Sequence, residues 1–422
     1  MTALNTTLGS EELDVPLLSF SKDDHFTCKD SMEGLMIFGT SGSGKTSSVG
    51  AQVALQMLRN GYGGLVLLAK PEIELWKAYC KIAGRLDDLR VIEPGGPYRF
   101  NFIDYEARQQ QGDGAGLAAN IADIILKLSD VAGNSGLQND SFWEGERLKS
   151  LINPIEAVIL AGDELTPKSI YDVVISAPSS DEELESKKWR DRSQCYQTLL
   201  KIRQRIERNE LTEEEIDDYH VLEDYFLLEH LRLHEKTRGI VRAMFTSFFT
   251  EFNRRPNRKL FCSDTTITPE ACLTGKIIIV NLPARNYNKV GIVAQKLMKL
   301  MFQRTVERSM DHIRQRAKMF LFADEFQTFF YPYDVDYQAT ARSSGVATVY
   351  LTQNLPNVYN AAGGGSDAEN RVKALVANLN TQVFLANSDL CTNTYAADLI
   401  GKHTNWTKSK NRSMGGDVSF SK

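Results

Sequence analysis

Residues 38–48 read FGTSGSGKTSS, in which Gly39 is followed after four residues by Gly44, Lys45 and Thr46. The spacing G-x-x-x-x-G-K-T is that of a phosphate-binding loop. Its glycines let backbone N–H groups face phosphate oxygens. The lysine reaches the β- and γ-phosphates, and the threonine hydroxyl suits Mg²⁺. Gly39, Thr40, Ser41, Gly42, Ser43, Gly44, Lys45, Thr46 and Ser47 are therefore expected to hold ATP, with Mg²⁺ as its companion ion. Kinases, switches, helicases and pumps all use such a loop, so other residues must choose between them.

A second group lies in KMFLFADEFQTFF, residues 318–330, where an apolar run ends in Asp324 and Glu325. A phosphate loop needs a carboxylate at the end of a neighbouring strand. Asp324 is expected to hold Mg²⁺, usually through water, while Thr46 gives its hydroxyl directly. Glu325 is placed to polarise the attacking water. An acid directly after the magnesium aspartate suggests a hydrolase, whereas a kinase would need a phosphoryl acceptor site. Two acids after an apolar run often just mark a strand end, and only the phosphate loop lends this pair weight. Arg342 and Gln353 flank the apolar run 346–352. A polar residue at that strand end can sense the γ-phosphate, and an arginine on a subunit edge can complete a neighbour's site. The plainer readings are a surface arginine and a turn residue.

These residues need elements to position them. The run 34–38, GLMIF, reads as a buried strand before the loop, and the apolar spacing of 45–60 reads as the helix after it. A helix N-terminus adds partial positive charge where phosphates bind. Residues 64–70 read as a second buried strand, and 91–103 as a strand and turn. Between about 106 and 250 helical patterns dominate: 115–130, a helix opened by a Ser141–Glu144 capping box with a kink at Pro154, one capped by Thr166 with Pro167, and an acidic one capped by Thr212 with Glu215. Strands return at 276–282, 319–324, 346–352 and 381–386, with helices between them. Alternation of strand and helix implies a parallel sheet covered on both faces. The expected fold is α/β: a RecA-like P-loop domain with a mainly parallel sheet flanked by helices, plus an inserted all-α domain. The expected division is 1–30 as an N-terminal segment, 31–105 with 251–410 as the nucleotide-binding domain, 106–250 as the insertion, and 411–422 as a polar tail. That tail reads as an end without a closing element, as a truncation would leave.

The chain has 422 residues, 42% hydrophobic and 24% charged, which calls for more than one ordinary core. No apolar run reaches the roughly 18 residues of a membrane helix. The first 18 residues lack the basic flank and apolar stretch of a signal peptide. The net charge of −5 neither favours nor excludes nucleic acid, because only a local patch matters. The six cysteines form no C-x-x-C pair, which suits a reducing cytoplasm and argues against a zinc site.

Several stretches together resemble a known family. GLMIFGTSGSGKTSS, RFNFI, SFWEGERLKSLI, GKIIIVNLP, FLFADEFQTF, ARSSGVATVYLTQNLPNVY and ANLNTQVFLANSDLCTNTYAADLIGK stand in the order seen in type IV secretion coupling proteins of the TraG/TraD type, in the FtsK/HerA group of RecA-like motors. The resemblance runs from about 30 to 410. It implies a homo-hexameric ring ATPase that recruits relaxase-bound DNA, single-stranded, to a conjugation channel, with relaxosome and type IV secretion components as partners. It matches Lys45 and Thr46 to the Walker A pair, Asp324 and Glu325 to the Walker B pair, Gln353 to the glutamine after the next strand, and Arg342 to the finger position. It links the helical insertion to substrate recognition.

Three departures stand out. The pair of membrane helices that opens most members is absent from this sequence, so the expected place is cytoplasmic, at the inner face of the bacterial membrane through partners. In the D-x-K-G-E stretch Leu68 replaces the aspartate, leaving Lys70 and Glu72. The family usually continues beyond residue 422. Two other functions stay open: a double-stranded DNA pump of the FtsK or HerA kind, and a nucleotide-gated adaptor that collects protein substrates for a secretion system. The basic segment 186–209 could contact DNA, but flanking acids favour an ordinary solvated face.

Overall fold

The computed structural model describes residues 13–109, 118–119, 121–122, 124–126, 141–310, 316–402, 409–412 and 418–421. Residues 1–12, most of the expected helix 115–130, the side chains of the Ser141–Glu144 box and parts of the polar tail lie outside the described residues.

Two short antiparallel strands, β1 (Pro16–Ser19) and β2 (His25–Thr27), open the described chain. Then come β3 (Leu35–Phe38), β4 (Gly63–Leu67), β5 (Leu89–Ile92), β6 (Ile277–Val280), β7 (Met319–Ala323), β8 (Val346–Thr352) and β9 (Thr381–Phe384). These seven form one all-parallel sheet in the order β5-β6-β4-β7-β8-β3-β9. The five inner strands are buried at every position, as continuous apolar runs such as IIIV and MFLFA demand. The edge strands β5 and β9 are only partly buried.

Side chains alternate between two cores. Leu35, Ile37, Val66, Ile279, Phe320, Phe322 and Val349 face one side, where the helices Ala51–Arg59 and Ile73–Ile82 cover them. Met36, Phe38, Leu65, Ile278, Met319, Leu321 and Tyr350 face the other, under the long helix Ala284–Arg308. That second core continues without a break into the helical region through Ile155, Ile170, Phe249 and Phe252. Phe252 touches both Phe102 and Phe261, with centroids 5.6 and 5.3 Å apart. Among the described residues between Phe102 and Phe261 there are helices and no strand. The Thr166–Ser169 and Thr212–Glu215 capping boxes are both closed, and Pro167 opens its helix.

Two features differ from the sequence reading. The N-terminal segment contains the β1–β2 hairpin, whose Leu17 and Phe26 are buried against the sheet. The polar tail contains β10 (Ser409–Arg412) paired antiparallel with β11 (Val418–Ser421). Both ladders use strands of three or four residues, too short to show a period of two in the sequence.

Candidate nucleotide site

All seven sheet strands point their C-terminal ends the same way, so the segments after β3, β4, β7 and β8 meet at one end of the sheet. The loop after β3 is tied down on both sides: Gly39 N–H donates to Thr352 O at 3.1 Å, and Thr40 N–H to Ala386 O at 3.1 Å. Gly42 and Gly44 take the left-handed conformation, with φ of +81° and +88°, which L side chains avoid. A Cβ at Gly39 would lie 2.3 Å from Ser43 Oγ. Lys45 is buried, while Ser41, Gly42 and Ser47 are exposed along the rim. The helix starts with a wide π-type turn in which Gly50 N–H donates to Lys45 O at 2.9 Å.

Strand order decides what faces the loop. β8 lies between β3 and β7, so Thr352 and Gln353 sit between the phosphate loop and the two acids. Thr46 Oγ1 donates to Asp324 Oδ2 at 2.9 Å. Glu325 has φ of +52° and ψ of 51°, an uncommon conformation for a residue with a side chain. Its N–H donates to Asp324 Oδ1 at 2.8 Å, which helps hold that turn. Its carboxylate collects four donors: Lys70 Nζ at 2.8 Å and Lys45 Nζ at 3.5 Å on Oε1, and Gln327 Nε2 at 2.8 Å and Gln353 Nε2 at 3.1 Å on Oε2. Thr352 Oγ1 in turn donates to Gln327 Oε1 at 2.7 Å.

The charges follow from this packing. Burial alone would raise the Glu325 carboxyl, but the hydrogen bonds from Lys70 and Gln327 and the charge of Lys45 outweigh it and hold it down at about 2. Asp324 is shifted up, chiefly by burial and also by the charge of Glu325, against the Thr46 hydrogen bond and the two lysines. Glu72 is also raised, by burial and then by Asp324. The structure thus brings together Lys45, Thr46, Asp324, Glu325 and Gln353. It adds Lys70, Gln327 and Thr352, whose roles the sequence did not suggest. Lys70 could have been suspected, since it closes the apolar run 64–70 as a lone cation.

Arg342 does not join them. It precedes β8, while the site lies beyond that strand's far end, roughly 20 Å away at about 3.3 Å per residue. Its guanidinium pairs with Glu33 at 2.9 Å, and its Nε is buried without a partner.

The segment after Glu325 is fixed on the helix Ala284–Arg308 by a polar seam. Lys299 Nζ reaches Asp334 Oδ2 at 2.5 Å and Phe329 O at 2.6 Å, and Gln303 donates to Asp334 Oδ1 at 2.9 Å. Phe326 stacks on Tyr350 with centroids 3.9 Å apart. One helical turn before Lys299 lies Lys296, whose ammonium is pushed down to about 7 by burial and then by the Lys299 charge, against Asp334. From pH 7 to 10.5 the unfolded chain holds this proton and the folded chain releases it, so stability rises with pH across that window. At and below pH 7 the folded protein carries the burial cost in full. Lys296→Met is expected to stabilise the protein at pH 7 by on the order of 1–2 kcal/mol, with the gain vanishing near pH 10. Urea unfolding of both proteins at the two pH values measures it.

The residues fit a magnesium nucleotide. Ser43 Oγ is a buried oxygen with no partner inside the loop. Thr46 and Asp324 are already paired as the hydroxyl and carboxylate that Mg²⁺ takes. Among the described residues no group of three or more His, Cys, Asp or Glu could hold another metal, and no helix is long and apolar enough to cross a membrane.

Residues 318–422 match the family described as the TraM recognition site of TraD and TraG. The resemblance to type IV secretion coupling proteins holds. No curated protein sequence matches the chain. Among solved structures, the bacterial conjugative coupling protein TrwBdeltaN70 in its unbound form superposes with a TM-score of 0.57 at 12% identity, over 99% of this chain and 82% of that one. The plasmid coupling protein TrwB in complex with the non-hydrolysable GTP analogue GDPNP gives 0.55 at 11% identity, over 99% and 83%. VirB4 of Thermoanaerobacter pseudethanolicus gives 0.53 at 14% identity, over 87% and 81%. At these identities the likeness is one of fold: this chain has the TrwB-like, RecA-like fold.

Proposed function

We propose that this protein is an ATP-driven motor that moves DNA, single-stranded and relaxase-linked, toward a type IV secretion channel. The observation that carries the ATPase reading is the 2.9 Å bond from Thr46 to Asp324, with the ionised Glu325 beside it. It joins the loop after β3 to the acids after β7, which is the meeting a hydrolytic P-loop site requires.

In this reading the loop amides of residues 39–47 bind the phosphates of ATP. Lys45 would turn from Glu325 toward the β- and γ-phosphates, and Thr46 and Asp324 would hold Mg²⁺. The ion would supply neutralisation of the phosphate charge. Glu325, held by Lys70 and Gln327, accepts a hydrogen bond from the attacking water and orients it. Gln353, already within hydrogen-bonding distance of Glu325, reports on the γ-phosphate from the end of β8. Arg342 of a neighbouring copy would stabilise developing charge from outside, since its own copy's site is out of reach. Such a site is completed by a homo-hexamer. The helical region 106–250 would meet the transferred substrate, and the TraM recognition match in 318–422 favours a relaxosome protein as partner. The assembly would work in the cytoplasm at the inner face of the membrane.

Steady-state ATP turnover without DNA, with single-stranded DNA and with duplex tests the reading. We expect stimulation several-fold by single strands, and loss of turnover in Lys45→Ala. Preference for duplex without a relaxase would favour an FtsK/HerA-like pump. Turnover indifferent to DNA, with tight binding of an effector or relaxase, would favour the protein-recruiting adaptor.

A further inference from the structure

The cations in the second half of the basic segment 186–209 are neutralised within the fold. Lys201 pairs with Asp163 at 2.6 Å, Arg205 with Glu210 at 3.3 Å, and Arg203 with Glu207 at 3.8 Å. A different group of cations is not. A cleft of about 580 Å³ opens where the sheet meets the helical region, between the turn after β5 and the residues that follow the helix Glu235–Asn253. Among the described residues that line it are Arg99, Lys168, Arg255, Arg258 and Lys259, and none of those described is acidic. Arg99 pairs with Asp264 and Lys168 with Asp172. Arg255, Arg258 and Lys259 are exposed, and none has a carboxylate within ion-pair distance among the described residues. Arg99 also keeps a buried Nε without a partner.

Three unpaired cations within five residues repel one another, and the chain as a whole is acidic at −5. Such a cluster is relieved by an anion of repeated charge. Among the described residues no aromatic side chain lines the cleft, so they offer no platform for stacking bases. Its apolar side chains are Pro256, Leu260 and Cys262. At Gly95 the space a side chain would take is open, so a ligand can approach the backbone closely.

We infer that this cleft binds the phosphodiester backbone of single-stranded nucleic acid, without reading its sequence. The inference rests on the DNA-motor reading and gives it a contact site. Arg255, Arg258 and Lys259 make the phosphate contacts, supported by Arg99 and Lys168.

The test is fluorescence anisotropy of labelled oligo-dT against salt concentration, with the full chain and the triple variant Arg255→Gln, Arg258→Gln, Lys259→Gln. Arg258→Gln alone provides a milder change. Lys201→Gln serves as the control from the neutralised face. Losing three contacts should weaken binding at least ~10-fold near 0.1 M salt and make the log–log salt slope shallower by about 2, at roughly 0.7 per contact. Arg258→Gln should change the slope by about a third of that, and Lys201→Gln should leave it unchanged. Wild-type binding with an unchanged triple variant would overturn the cleft and leave the motor reading standing. A wild-type chain that binds no nucleic acid would sink both. Poly-glutamate competing as well as oligo-dT would overturn the phosphodiester assignment.

Discussion

Replacing Glu325 with glutamine should leave ATP and Mg²⁺ bound and lower turnover by about 100-fold or more. The substitution keeps the shape and one acceptor oxygen but removes the charge that orients a water. A positioned acid–base group contributes roughly 10²–10⁴ in rate. Lys70 and Lys45, at 2.8 and 3.5 Å, would lose the anion they share. Lys45 would then be freer to serve the phosphates, so nucleotide affinity should hold or rise. Turnover is read beside the affinity for a fluorescent ATP analogue. A variant that turns over within about threefold of wild type would remove Glu325 from the chemistry.

Asp334→Ala is expected to cost roughly 3–5 kcal/mol of folding stability. Lys299 and Asp334 are both fully buried, 2.5 Å apart. Burial pushes the Lys299 ammonium down and Asp334 pushes it back up, with burial the stronger. Removing the carboxylate strands a buried cation. It also takes an acceptor from Gln303 and from the Tyr331 N–H. The double substitution Lys299→Met with Asp334→Leu should recover most of the loss, because an apolar pair of similar volume has no charge to desolvate. Denaturant unfolding distinguishes the cases. A loss below about 1 kcal/mol for Asp334→Ala would show that the ion pair does not hold the segment after Glu325 onto its helix.

The inner strands were legible because each is buried on both faces, so MFLFA and VATVYLT leave no polar alternation to confuse with a helix. The phosphate loop and the acid pair were legible because their chemistry is local. What joins them was not. The strand order puts β8 between β3 and β7 and β4 beyond β7, and no local pattern encodes that order. Lys70, Gln327 and Thr352 acquire their partners only through it. The basic cleft was hidden for a related reason. Its five cations come from three separate segments, near 99, 168 and 255–259, and only those of 255–259 lack a carboxylate among the described residues, whereas in the conspicuous run 186–209 Lys201, Arg203 and Arg205 have theirs. Arg342 shows the converse: a residue in the right place along the chain can stand at the opposite end of the sheet, bound to Glu33.

The most direct test of a DNA motor is ATP-dependent displacement of streptavidin from the end of a biotinylated single strand, at concentrations where the chain assembles. The account predicts displacement by the wild-type protein with ATP, none with a non-hydrolysable analogue, and none by Glu325→Gln. ATP consumed on the same strand with streptavidin left in place would contradict it, and would mean that hydrolysis here drives something other than movement along DNA.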